Sequence, residues 1–387
     1  MTDFLKEAEQ VRKEMISFRR DIHAHPELGN KEFRTTGKIT EVLHKLNIET
    51  VQVLPTGVIG ILKGDQEGRT VAFRSDIDAL PVQEETGLSC ASENKGIMHA
   101  CGHDMHMASL LGAAHILSAH RHEIHGNIVF IFQPDEEGDG GAERIMKTGI
   151  LDSLHVDTVY GAHVEPSLPA GTIGVKYGQF YANALKFDVH VHGKGTHAAQ
   201  PENGTDSLNA AAEMCVALKK LSEENENGRC VCTVGCFHAG TVRNIISDHA
   251  DFSGILRCTG LQMRDKKAKQ MKGIMDEIAR KNHVHCESNL VTGYPGVTNH
   301  NENTALVQKT VEEMLGKDHV VVEDKPTMTT EDFGYYVQKY RGCFYHVGIG
   351  SPYPLHSPKM CPDENALVTA AAVHATVLMN DLKKESL

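Results

Sequence analysis

The stretch NIVFIFQPDEEG, residues 127–138, joins a buried strand to a polar loop and predicts the fold class. Residues 128–132 are apolar and uncharged, which is typical of a strand covered on both faces of a sheet. After Gln133 and Pro134, the chain continues with acidic residues and glycines. Similar strand-like runs lie at 58–64, 70–80 and 157–164, and helical stretches lie at 107–120 and 141–150. This alternation predicts an α/β core with a largely parallel sheet.

The pattern changes from about Asn183 onward. The segment ALKFDVHVHG alternates apolar and polar residues, an amphipathic helix follows, and the segments RCVCTVGCF and DHADFSGILRC alternate again. This is the pattern of an antiparallel sheet with one face covered by helices. The α/β style resumes after Gly293. We therefore predict one discontinuous domain, 1–180 and 294–387, with a second α+β domain, 181–293, inserted into it.

Composition and charge exclude several classes of partner. The net charge is −12, and Lys and Arg are scattered singly, which argues against nucleic acid. Residues 1–28 mix charges every few positions and lack the apolar core of a signal peptide or membrane span. Ten cysteines without disulfide-type spacing indicate reduced thiols. We expect a cytoplasmic protein with neither a nucleic-acid nor a membrane partner.

The run CVCTVGC offers Cys230, Cys232 and Cys236 as a conceivable metal cluster. In a strand, however, these residues and Val234 would all point to the same face. Buried cysteine behaves as a small hydrophobic residue, so we interpret the run as core packing.

The segment MHACGHDMHM, 98–107, is the first candidate for chemistry. Cys101 and His103 lie just before an apolar helical periodicity, in the turn that enters the helix. A thiolate and an imidazole at this spacing can converge on one metal ion. His99 and His106 are competing ligands, and the motif alone also fits a histidine-rich surface loop.

Acidic residues follow the strand at 127–133. Asp135, Glu136 and Glu137 form a run in which neighbouring side chains of an extended chain point to opposite sides. One glutamate can thus bind a metal while its neighbour reaches a water, as metal-assisted hydrolysis requires. A solvated acidic turn is the alternative. His163 and His356 also follow strand-like runs, and four such elements at the ends of strands of one sheet point to one site.

Runs along nearly the whole chain resemble the M20 metallopeptidase and amidohydrolase family. Within it, they are most similar to the branch of hippurate hydrolases, N-acyl-amino-acid amidohydrolases and plant auxin-conjugate hydrolases. The runs are RRDIHAHPEL, RSDIDALP, MHACGHDMHMA, FQPDEEGDGGAERIM, HGKGTHAAQP, GTVRNIIS, TEDFGYY and LHSPKMCPDENAL.

The resemblance implies a metallopeptidase-type mixed sheet flanked by helices, with an inserted lid and dimerisation domain. It also implies two divalent ions, zinc or manganese, in the discontinuous catalytic domain, and Glu136 as the general base. The implied metal ligands are Cys101, His103, Glu137, His163 and His356. Many M20 peptidases carry a His-x-Asp metal motif where this chain has Arg74-Ser75-Asp76, so Asp76 is left for a supporting role.

Three residues of the inserted domain resemble positions that hold the substrate in this family: His197, Asn244 and Arg257. The resemblance implies a homodimer formed through that domain, with His197 reaching the neighbouring subunit's site. Arg257 could bind a free carboxylate with two hydrogen bonds. A salt bridge to Asp248 or Asp251 is the alternative for this guanidinium.

The function that these residues imply is hydrolysis of the amide bond of an N-acyl amino acid to a carboxylic acid and a free amino acid. A dipeptidase or carboxypeptidase using the same two metals is the nearest alternative. A non-catalytic, metal-binding dimer is an alternative of another class. The pair Glu136 and Glu137 argues against it, because a binding protein needs no base beside a ligand.

Overall fold

The computed structural model describes residues 3–225 and 228–384, which form two compact units. The first unit spans 1–178, 298–325 and 335–387, and the second spans 179–297 and 326–334. The sequence pattern assigned residues 326–334 to the first domain, but the structure groups them with the second unit. Backbone pairing explains the difference, because Thr327 N–H donates to Phe180 O at 2.8 Å and Ala182 N–H donates to Thr329 O at 3.1 Å.

The helices and strands are numbered in chain order. The α-helices are α1 Phe4–Gln10, α2 Arg12–Ala24, α3 Phe33–Lys45, α4 His103–Ala119, α5 Gly141–Lys147, α6 Ile150–Ser153, α7 Ser207–Lys219, α8 Leu261–Lys281, α9 Asn301–Leu315, α10 Gly334–Lys339 and α11 Ala366–Leu382. The strands are β1 Glu49–Val51, β2 Val58–Lys63, β3 Gln66–Asp76, β4 His125–Gln133, β5 Val156–Glu165, β6 Ile173–Val175, β7 Gly178–Gln179, β8 Asn183–His192, β9 Thr196–His197, β10 Glu223–Asn225, β11 Gly228–Ala239, β12 Ile245–Ile246, β13 His249–Cys258, β14 His285–Thr292, β15 Thr298–Asn299, β16 Val320–Val322 and β17 Arg341–Gly348.

The first unit is built on a mixed sheet with the strand order β1-β2-β4-β3-β5-β17-β6-β16. Its four central strands, β4, β3, β5 and β17, are parallel. β1 pairs antiparallel with β2, β2 with β4 and β6 with β17, while β16 runs parallel to β6. Helices α4 and α11 are buried along nearly their whole length and belong to the main core. The predicted α/β class with a mixed sheet is therefore confirmed. Because the central strands are parallel, their carboxyl ends meet at one edge, where polar groups can gather.

The second unit contains an antiparallel sheet with the order β10-β11-β13-β8-β14. Helices α7 and α8 pack on one face of this sheet and contribute Met214 and Met271 to its core. The interpretation of CVCTVGC is right for Cys230 and Cys232, which are buried, but wrong for Cys236, which is exposed. The register between β11 and β13 shifts between Val234 and Cys236, and this bulge turns Cys236 to the other face.

In the described part of the chain, every helix is too short or too polar to cross a bilayer.

Candidate metal centre

The loop before α4 brings Cys101 and His103 together. Gly102 separates them in a left-handed conformation with φ of 85°, and a Cβ at this position would lie 2.5 Å from the Val164 side chain. Glycine is therefore required in this turn. The loop that carries His356 is fixed beside Cys101, because the His356 N–H donates to Ala100 O at 2.8 Å. His356 itself has φ of 64°, a conformation uncommon for non-glycine residues.

Five candidate ligands form two groups of donor atoms that share one sulfur. Cys101 Sγ lies 3.3 Å from His163 Nε2 and also 3.3 Å from His356 Nε2. His356 Nε2 lies 3.1 Å from Glu137 Oε1. The first group is Cys101, His103 and His163, and the second is Cys101, Glu137 and His356. Within each group all ligand atoms lie within 4.8 Å of one another. The five residues thus come from four separate segments of the chain.

The two buried imidazoles are oriented by carbonyl groups. His103 Nδ1 lies 2.9 Å from Asp78 O, and His163 Nδ1 lies 2.8 Å from Val164 O. In each ring Nδ1–H donates to the carbonyl oxygen, so Nε2 is the nitrogen that can bind a metal. A partner of this kind on the other ring nitrogen is usual for metal-binding histidines.

An orphaned polar atom shows that these residues fit a bound cation. His103 Nε2 is buried and makes no hydrogen bond within the described part of the chain. Burial lowers the pKa of His103, but the negative charges of Asp76 and Asp78 outweigh it and raise that pKa to about 10. Burial, together with Glu137 and Glu136, raises the pKa of Cys101 well above its usual range. A cation here would balance the carboxylates and stabilise the thiolate.

Glu136 lies beside the candidate ligands. It is 7% exposed, and one of its carboxylate oxygens lies within 4.8 Å of ligand atoms of both His103 and Glu137. The neighbouring Asp135 is bound elsewhere, because Asn30 Nδ2 donates to its carboxylate at 2.8 Å and Arg144 Nη2 at 3.0 Å. Of the run Asp135, Glu136 and Glu137, only Glu136 both lies beside the candidate ligands and stands outside the two donor groups.

His99 and His106, the competing candidate ligands, lie outside the two donor groups. His106 uses both ring nitrogens, since Nδ1 lies 2.5 Å from Asp76 Oδ1 and Nε2 accepts a hydrogen bond from Val164 N–H at 2.9 Å. His99 is buried, and burial lowers its pKa to about 3, so it is neutral. Its ring lies beside that of His23, with centroids 6.5 Å apart.

Sequence reasoning missed the polar residues that support the centre. Asp78 accepts a hydrogen bond from Glu137 N–H at 3.0 Å and also lies beside His103. Asp104 lies within the same motif as His103, but it forms a buried ion pair with Arg19 at 2.6 Å and contacts His23 at 2.8 Å. The sequence offered one signal for these contacts. The runs RRDIH, 19–23, and HDMHM, 103–107, both place charged residues and histidines where a buried helix would have apolar ones.

The predicted substrate residues lie in the second unit. His197 is on β9, which pairs with β12, and Ala198 N–H donates to Asn244 O at 3.0 Å, so the structure brings His197 and Asn244 close together. Arg257 lies on β13, where it donates to Met328 O at 3.3 Å. Within the described residues no ion pair joins Arg257 to Asp248 or Asp251, and Asp251 instead pairs with two histidines.

Comparisons with known proteins identify the family. Residues 72–380 match Peptidase family M20/M25/M40. The chain is 35% identical to an N-acetyl-L-cysteine deacetylase of Bacillus subtilis (strain 168), over 93% of this chain and 86% of that protein. It is 36% identical to thermostable carboxypeptidase 1 of Saccharolobus solfataricus, over 93% of each chain.

A solved structure supports the same assignment. The Bacillus subtilis YXEP protein, described as a dinuclear metal binding peptidase from the M20 family, has a TM-score of 0.87 and 33% identity, covering 97% of this chain and 99% of its own. The protein therefore belongs to peptidase family M20/M25/M40, as its sequence motifs indicated. It is accordingly a hydrolase of amide bonds.

Proposed function

We propose that this protein is a two-metal amidohydrolase that cleaves the amide bond of N-acyl amino acids, releasing a carboxylic acid and a free amino acid. The observation that carries the proposal is the pair of donor groups sharing Cys101 Sγ. Three protein donors per ion leave coordination positions open for water and substrate, as in catalytic sites. A structural zinc site would be closed by four protein ligands.

The spacing of the donor atoms supports this assignment. On one tetrahedral zinc ion, a sulfur and a nitrogen ligand would lie roughly 3.5 Å apart, given bond lengths of about 2.3 and 2.0–2.1 Å. Cys101 Sγ lies 3.3 Å from the nitrogens of His163 and His356, one in each group. We therefore assign Cys101 as the bridging ligand. The thiolate favours zinc, while the imidazole and carboxylate donors also suit manganese.

Glu136 is proposed as the general base. When bound, the two cations would polarise the amide carbonyl and lower the pKa of the attacking water. Glu136 would accept the proton of that water and donate it to the leaving amine. Its burial, and the separate engagement of Asp135 by Asn30 and Arg144, support this choice over its neighbour.

The substrate class rests on the relatives and on the second unit. An N-acyl amino acid and a peptide cleaved at its C-terminus both carry a free carboxylate, which a guanidinium can bind. We propose Arg257 for that role, because no described carboxylate pairs with it, and His197 and Asn244 as further substrate contacts. A homodimer formed through the second unit is part of the same proposal.

A hydrolysis panel tests the function. The metal-loaded protein is assayed with N-acetyl and N-benzoyl amino acids, and with dipeptides that carry the same C-terminal residue. Release of amino acid from the N-acyl compounds at a higher kcat/KM is the expected result. A preference for the dipeptides would instead identify a carboxypeptidase or dipeptidase. Failure to hydrolyse any compound with two metals bound would contradict the proposal.

A further inference from the structure

A group of histidines occupies the face of the second unit's sheet opposite α7 and α8. Along β8, buried and exposed residues alternate, so His190 and His192 point away from the helices. The strand register places His249 on β13 and His285 on β14 opposite His192, and Asp251 opposite His190. Directly paired residues on one sheet face have Cβ atoms about 4.5–5.5 Å apart. We call these five residues the open-face histidine cluster.

Two histidines of this cluster contact the same carboxylate. Asp251 Oδ1 lies 2.5 Å from His190 Nδ1, and Asp251 Oδ2 lies 2.8 Å from His249 Nε2. The three ligand atoms of these residues lie within 4.8 Å of one another. Together they join β8 to β13.

Two further imidazoles lie next to this group. The His192 ring centroid is 5.0 Å from that of His249 and 6.1 Å from that of His285. The four histidines thus form a continuous patch across three strands. Four imidazoles packed this closely would repel one another when protonated, whereas neutral imidazoles can share a cation.

Hydrogen bonding between Asp251 and its two histidines is the simpler explanation of the contacts. It accounts for His190 and His249 but gives no reason for His192, whose side chain makes no hydrogen bond with described residues and lies against another imidazole. A metal ion accounts for all three histidines, since a fourth donor completes the usual coordination of zinc.

We propose that the open-face histidine cluster binds one divalent transition-metal ion, with His190, His249 and Asp251 as ligands and His192 as the fourth donor. Imidazole nitrogens with one carboxylate oxygen suit Zn²⁺, Ni²⁺ and Cu²⁺ and do not suit Ca²⁺ or Mg²⁺. Asp251 and Arg257 lie on the same strand, six residues or about 20 Å apart. The site is therefore separate from the proposed carboxylate contact, and a bound ion would join β8 to β13.

Metal titration tests the proposal. The enzyme is first loaded with zinc at its two catalytic positions, and Zn²⁺ or Cu²⁺ is then added in a calorimeter. The wild-type chain should bind one further equivalent. Substituting both His190→Ala and His249→Ala should weaken that binding by about tenfold or more, since loss of a mere supporting partner can already cost this much. Both positions are exposed, so the variant should fold and keep its hydrolytic activity.

The matched control is His122→Ala, which removes an exposed histidine of the first unit. With added Cu²⁺, the electron paramagnetic resonance spectrum of the wild type should show nitrogen coupling that the double variant loses and the control keeps. The proposal is overturned if the wild type binds no further equivalent. It is also overturned if the double variant binds that equivalent as tightly as the wild type, or if His122→Ala weakens binding as much as the double substitution.

Discussion

Replacing Cys101 with serine should weaken the binding of both catalytic ions, because its sulfur belongs to both donor groups. A serine hydroxyl does not ionise near neutral pH and is a poor substitute for a thiolate. Loss of a partner that only supports a ligand already costs about 10–100-fold in metal affinity, or roughly 1.4–2.7 kcal/mol. Each ion loses one of three protein donors here, so we expect at least this cost for each ion.

A comparison with His163→Ala sharpens this prediction. His163 belongs to the first donor group, so its loss should weaken one ion and leave the other close to its normal affinity. The assay is metal content per chain after equilibration with a series of buffered free-zinc concentrations. Cys361→Ser, which changes a half-buried cysteine of the same unit, is the control and should retain two ions. If Cys101→Ser loses one ion and binds the other normally, the sulfur is not shared and the bridging assignment is wrong.

Three further predictions concern substrate, stability and metal. Arg257→Ala should lower kcat/KM for an N-acyl amino acid by a factor equivalent to roughly 2–4 kcal/mol, and should leave kcat/KM for the carboxamide analogue little changed. An acid-to-amide preference equal to that of the wild type would reject Arg257 as the carboxylate contact. Asp104→Asn should destabilise the protein by up to roughly 3–5 kcal/mol in urea unfolding at neutral pH, because buried Arg19 loses its closest carboxylate and keeps only Glu364 at 3.3 Å, whereas the exposed control Asp265→Asn should cost about 0–1 kcal/mol. Burial raises the pKa of Asp104, but Arg19 and His23 outweigh it and hold that pKa well below its ordinary 3.8, so its contribution is present above about pH 4 and should be lost as the pH falls further. Chelation of the metals should lower the midpoint of thermal unfolding, since the ions bind the folded state, and a midpoint that does not move in calorimetry would count against a metal centre.

The main elements of the fold could be predicted from hydrophobic pattern alone. The strands at 58–63 and 125–133 and the helix at 103–119 lie close to their predicted positions, because each has an uninterrupted apolar pattern. The outward turn of Cys236 could not be predicted, since one bulged residue reverses the alternation without changing the composition. Residues 326–334 were also misassigned, because their backbone pairs with chain about 150 positions earlier, a contact that leaves no local pattern.

The candidate ligands could be named from the family motifs, and the structure brings Cys101, His103, Glu137, His163 and His356 together. Their roles remain a prediction. The groups that orient them could not be found in the sequence, because Asp78 acts through a single carboxylate and a backbone carbonyl. Whether a histidine is available as a ligand also depends on packing. His103 and His106 look alike in the motif, but only His106 has both ring nitrogens occupied by hydrogen bonds.

The most direct test of the proposed function is the turnover of Glu136→Gln with its metal content measured in the same sample. The substitution keeps the shape of the side chain and leaves Glu137 and the other candidate ligands in place, but the amide cannot accept a proton from water. The proposal predicts two ions per chain and a kcat lower by about 10²-fold or more, the contribution of a positioned general base. Near-normal turnover with both ions bound would contradict it and would assign the base to another residue.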